Sequence, residues 1–150
     1  MTTLLRRLDH VAVLVRSTDE ALRFYEGRLG LRCHSSEVIP EPNVRLTYLD
    51  AGNAWLQLVE PLDRASPLGT WLDENGEGLH HICFGVDDVE AAATALSDPG
   101  AKVALGNGRG RVSSFITAAG SHGVRLECTQ FVHAADVSDV SGWLDGERSV

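Results

Sequence analysis

Two stretches decide how this chain folds: Leu8-Asp9-His10-Val11-Ala12-Val13-Leu14-Val15 near the start, and Leu79-His80-His81-Ile82-Cys83-Phe84-Gly85-Val86 in the middle. Each is apolar and β-branched enough for a strand, and each is followed by a polar turn and a helical pattern. Their histidines, His10 and His81, match at an offset of 71 residues. Leu56-Gln57-Leu58-Val59-Glu60 matches Leu126-Glu127-Cys128-Thr129-Gln130 at an offset of 70, which sets Gln57 against Glu127. Two pairs of segments at nearly one offset mark a duplicated unit.

The sequence between these anchors fits the duplication. Ser17-Thr18-Asp19-Glu20 has the form of a capping box, with Leu22, Tyr25 and Leu29 at helical spacing after it and Gly30 as a left-handed stop. Asp87-Asp88-Val89-Glu90 opens an alanine-rich counterpart that ends at Pro99-Gly100. Strands are expected at 31–38, 44–50 and 54–60, and again at 101–105, 111–117 and 123–130. Each half therefore reads β-α-β-β-β, with module one over 7–62 and module two over 78–130. Ser66-Pro67 starts a linker helix over 66–76, as an N-cap followed by proline at the first helical position. The tail, 131–150, has no counterpart in the first half; Val137, Val140 and Leu144 are spaced for a weakly amphipathic turn or two.

Strand side chains alternate between two faces, so parity sorts the residues. Val11, Val13 and Val15 share one face, with Leu56 and Leu58, Ile82, Phe84 and Val86, and Val124, Leu126 and Cys128 on the equivalent face of their strands. The opposite face carries His10, Gln57, His81 and Glu127, beside the small residues Ala12, Cys83 and Gly85. None of the four is diagnostic singly. Placed at equivalent positions by the repeat, two imidazoles, an amide oxygen and a carboxylate form a nitrogen and oxygen donor set for one divalent ion. Without thiolate in the set, Co, Mn, Ni, Fe and Zn all remain open. The expected architecture is α+β, two tandem βαβββ modules making one curved mixed-sheet cup around that ion.

Composition narrows the partners. A formal charge of −8 argues against a general nucleic-acid binder. No apolar run reaches the roughly 20 residues of a membrane span, and the first residues do not read as a secretory signal, so a cytoplasmic protein is expected. Cys33, Cys83 and Cys128 are odd in number and lack CxxC spacing, which suggests neither a disulfide framework nor a cysteine zinc site. Arg109 and Arg111, in the glycine-rich Gly106-Asn107-Gly108-Arg109-Gly110-Arg111, are candidate anion contacts, and Cys83 and Arg125 share the donor face as candidate substrate contacts.

The segments Leu8-Asp9-His10-Val11-Ala12, Trp55-Leu56-Gln57-Leu58-Val59-Glu60-Pro61, Gly76-Glu77-Gly78-Leu79-His80-His81-Ile82 and Gly123-Val124 through Glu127 resemble the vicinal-oxygen-chelate superfamily, and within it the methylmalonyl-CoA epimerase branch. The resemblance implies paired modules around one metal ion held by His10, Gln57, His81 and Glu127, usually in a homodimer. It implies a small-molecule substrate, an acyl-CoA of the 2-substituted malonyl type, whose α-proton is removed as an enolate forms. Glu127 is then both ligand and catalytic base. The chain departs from the family at Leu46, where some epimerases carry glutamate. It departs again at Thr117-Ala118-Ala119 in place of His-Pro-Lys, and at Arg125 in place of an aliphatic residue. The missing lysine and Arg125 favour a second expectation, a glyoxalase-like lyase or other tailoring enzyme on a different chelating substrate. A third is a non-catalytic, antibiotic-binding protein of the same fold.

Overall fold

The structure is a computed structural model that describes residues 4–132. Its elements run β1 (Leu5–Leu14), α1 (Thr18–Tyr25), β2 (Arg32–Ile39), β3 (Val44–Asp50), β4 (Trp55–Pro61), α2 (Pro67–Asn75), β5 (Gly78–Val86), α3 (Val89–Leu96), β6 (Gly106–Gly108), β7 (Arg111–Ile116) and β8 (Leu126–Gln130), with a 3-10 turn at Ala119–Ser121. Two β-α-β-β-β runs joined by one helix are present as the repeat requires, and the fold is α+β. The amphipathic turns expected beyond residue 132 lie outside the described residues.

The described residues divide into two compact units, one spanning Val11–His80, the other combining residues 4–10 with residues 81–132. In the Val11–His80 unit the strands are hydrogen-bonded in the order β2-β3-β4-β1, and β2, β3 and β4 pair antiparallel. Val13, Val15, Leu49 and Leu58 form its core, with Leu22 and Tyr25 of α1 packed against them. The helix is fixed at its start twice over. Ser17 Oγ accepts from Glu20 N at 3.3 Å, and Glu60 accepts from both Thr18 N and Thr18 Oγ1. Leu58 is fully buried. Leu58→Ala is expected to cost about 2–5 kcal/mol in denaturant unfolding, the range for a large cavity in a packed core.

In the other unit the order is β1-β5-β8-β7-β6. Here β8 lies parallel to β5 and antiparallel to β7, which makes the sheet mixed. Its core is Val86, Val89, Ala92, Ala93, Ile116 and Cys128, so α3 covers the face opposite Glu127. Asp88 Oδ1 caps α3 by accepting from Ala91 N at 3.0 Å.

Three expectations are corrected. Helix α1 ends at Tyr25, and Leu29 lies beyond it with 56% of its surface exposed, so that residue is not part of an apolar helix face. Residues 101–105 are not a strand. The ladder positions of β7 are taken by Gly106–Gly108, which leaves the preceding segment to pack Val103 on the core instead. Strand β8 begins at Leu126 rather than 123, after Gly123 at φ +82°. The glycine-rich segment is therefore a hairpin: Gly108 pairs with Arg111 across Arg109 and Gly110, whose φ angles of 57° and 66° suit a type I′ turn. Among the described residues no helix is long and apolar enough to cross a membrane.

Candidate metal centre

Three of the four expected donors meet in one unit. His10 comes from the middle of β1, His81 from β5 and Glu127 from β8, whose register sets Glu127 beside Cys83. His10 Nε2 lies 3.2 Å from His81 Nε2 and 3.4 Å from Glu127 Oε2. Glu127 Oε2 is 2.8 Å from His81 Nε2. All three side chains are nearly shut off from water, at 4%, 6% and 12% exposure.

That convergence is a test of metal binding. Two imidazole nitrogens and a carboxylate oxygen that face one another bring lone pairs together, an arrangement that needs a cation or shared protons between them. Bonds of about 2.1 Å at right angles would separate neighbouring ligands by about 3.0 Å, and the observed spacings of 2.8–3.4 Å bracket that value. The donor set suits a first-row divalent ion with positions left over.

Gln57 lies in the other unit. It is buried in β4, and its Nε2 donates to the hydroxyl of Tyr48, its cross-strand neighbour, at 2.8 Å. Its part in the ligand set rests on the sequence repeat and the family resemblance.

Asp9, which the sequence reading did not single out, touches the centre. Its Oδ2 lies 2.6 Å from His10 Nδ1 and also accepts from Arg109 Nη2, while Arg111 Nη1 stands 3.8 Å from its Oδ1. Arg109 and Arg111 thus turn inward, with side chains only 2% and 5% exposed. Arg125 is exposed just ahead of β8, where its carbonyl accepts from Ile82 N. Phe115 is the other residue parity reading overlooked. It is the cross-strand partner of Glu127, its ring meets His81 edge-on at 5.1 Å, and 45% of it remains exposed. A Cβ at Gly85 would meet the Phe131 ring at 3.3 Å.

The electrostatics follow from burial and pairing. Burial disfavours the Glu127 carboxylate, but hydrogen bonds and charge from His10 and His81 outweigh it and hold its pKa far below the usual range. Burial likewise opposes the charge on Asp9, and His10, Arg109 and Arg111 together bring its pKa down. Burial lowers the pKa of His10, yet Asp9 and Glu127 raise it above the ordinary 6.5. The Cys83 thiol is pushed well up by burial, then by Glu127 and Asp9, which leaves it protonated and no nucleophile.

These shifts set a pH window for the metal-free protein. The depressed carboxylates contribute stability that is present above their ordinary values of 4.5 and 3.8 and is lost as pH falls through the folded values. The raised His10 contributes stability that is complete below 6.5 and is lost as pH rises through its folded pKa. The contribution of this cluster should be greatest between pH 4.5 and 6.5. Urea midpoints of the metal-free protein and of His10→Asn, compared across pH, should converge on the alkaline side; a gap that widens there contradicts the assignment.

Comparison with known proteins bears on the centre. An ethylmalonyl-CoA/methylmalonyl-CoA epimerase of Cereibacter sphaeroides is 32% identical over 131 residues, 87% of this chain and 90% of that protein. The human mitochondrial methylmalonyl-CoA epimerase is 38% identical over 61% of this chain, a match that spans about half (53%) of the human protein's length. Among solved structures, a Streptomyces coelicolor methylmalonyl-CoA epimerase in complex with 2-nitronate-propionyl-CoA superposes with a TM-score of 0.77 at 34% identity, covering 84% of this chain and 97% of that one. The model of the glyoxalase/bleomycin resistance protein/dioxygenase superfamily matches residues 9–117, a span that holds His10, Gln57 and His81. With well over half of its residues inside that match, the chain belongs to this superfamily.

Proposed function

We propose that the protein is an epimerase of 2-substituted malonyl thioesters of coenzyme A, with one divalent ion held by His10, His81 and Glu127. The observation that carries the reading is the meeting of three donor atoms within 2.8–3.4 Å of one another, in a chain whose relatives over nearly its full length are such epimerases. When bound, the ion supplies positive charge against oxygens that gain negative charge as an α-proton leaves.

The chain's own residues do the rest. His10 and His81 hold Glu127 ionised inside a site that burial would otherwise neutralise. Oε2 of Glu127 faces the histidines, which leaves Oε1 as the oxygen that takes a proton from the α-carbon. Cys83 beside Glu127 is small, and Phe115 on its other side gives an apolar wall. Together they keep water from competing for the proton and bound the space for the α-substituent. A homodimeric assembly belongs to the proposal on the strength of the family resemblance.

The test is exchange of the α-proton of methylmalonyl-CoA in deuterated water, followed by NMR with the Co-loaded protein. Exchange requires one base only, so it does not depend on which group returns a proton to the opposite face. Rapid exchange is expected. An inert methylmalonyl-CoA together with turnover of the methylglyoxal–glutathione hemithioacetal would replace this reading with the lyase.

A further inference from the structure

We infer that Asp9 and Arg109 are positioning residues, which fix the nitrogen that His10 turns toward the ion and build the β6–β7 turn into the metal centre. The inference rests on the metal-centre reading and not on the reaction.

Asp9 Oδ2 lies 2.6 Å from His10 Nδ1. An ionised carboxylate has no proton to give, so Nδ1–H is the donor. In a neutral ring the proton on Nδ1 leaves a lone pair on Nε2, the atom that faces His81 and Glu127. The opposite tautomer would point N–H into the donor triangle and exclude a cation. Which nitrogen is protonated therefore decides whether three donors or two are available.

Asp9 can do this only if it stays ionised and still. Its side chain is 1% exposed, where a lone carboxylate is costly. Arg109 Nη2 donates to the same Oδ2 that accepts from His10, and Arg111 adds positive charge at 3.8 Å from Oδ1. Arg109 stands at a hairpin turn with φ 57°, a place where glycine or asparagine is usual and side chains ordinarily meet water. Its side chain is nevertheless only 2% exposed. The turn thus delivers a guanidinium from sequence position 109 to a carboxylate at position 9, and that carboxylate orients a ligand. This differs from the anion capture suggested by the sequence, since the guanidinium is already engaged with Asp9.

The experiment compares Asp9→Asn, Arg109→Gln and Arg109→Lys with the parent, and no substrate is used. Co²⁺ affinity is measured by chelator competition, and ring tautomers of the metal-free proteins by ¹⁵N long-range NMR at alkaline pH. Asp9→Asn should weaken Co²⁺ binding by about 10–100-fold, because an amide can offer its NH₂ to Nδ1 and so release His10 from the Nδ1–H form, while His81 is unchanged. Arg109→Gln should shift both readouts the same way by less, and Arg109→Lys should restore part of the loss. If Asp9→Asn does not fold, Arg109→Gln carries the same two measurements. Co²⁺ affinity within twofold of the parent in the folded variants overturns the inference. A weakened affinity with His10 still fully in the Nδ1–H form overturns it too, since the effect would then be merely structural. An inactive but metal-binding parent would count against the proposed reaction and leave this test intact.

Discussion

Glu127→Gln should slow α-proton exchange by about two to four orders of magnitude, the range expected on loss of a positioned general base. Glutamine keeps the volume and one oxygen but carries no charge and cannot take a proton at neutral pH. It also offers N–H groups to the lone pairs of His10 and His81, whose Nε2 atoms lie 3.4 and 2.8 Å from Glu127 Oε2. The variant should therefore fold. Weaker ion binding is expected alongside, so exchange is to be measured with Co²⁺ well above its dissociation constant and occupancy checked by elemental analysis. A fully loaded Glu127→Gln protein that exchanges at the parent rate removes Glu127 from the chemistry. A loaded variant that remains slow separates the base from the ligand.

Removal of the ion should have the second largest effect. Dialysis against a chelator is expected to abolish exchange, and Co²⁺ to restore it. The same ion should raise the melting temperature, because a ligand that binds only the folded state at a hundredfold excess over its dissociation constant adds about 2.7 kcal/mol. For a chain of this size that corresponds to about 5–11 °C. His81→Ala deletes one of three converging donors and should lose both responses together. A parent protein with neither response would make the cluster a hydrogen-bonded one held by protons, and the proposed reaction would lose its electrophile.

Much of this site was legible because strands make periodicity visible. A repeat at one offset put His10 and His81 at equivalent positions, and alternation along β5 and β8 put His81, Cys83 and Glu127 on one face, where the register pairs Cys83 with Glu127. Ser17 and Ser66 marked two helix starts, since the first amides of a helix need acceptors and few side chains supply them. Alternation also misled. It left Asp9 unassigned, although its carboxylate reaches Nδ1 of the His10 ring. Phe115 is one apolar letter among many until β7 is set against β8, because cross-strand neighbours are far apart in sequence. Residues 101–105 read as a strand, but a strand needs a partner with free ladder positions, and propensity contains no term for that.

The sequence by itself determined the element order and the duplicated β-α-β-β-β plan, and it singled out His10, His81 and Glu127 as candidates, because each depends on local pattern or on repetition along the chain. Only the tertiary structure decided that Arg109 and Arg111 face inward to Asp9, and that the Asp9 carboxylate lies against His10 Nδ1. The reason is physical: hydrogen bonds to a buried carboxylate are set by which groups folding brings within reach, and separation along the chain does not record that.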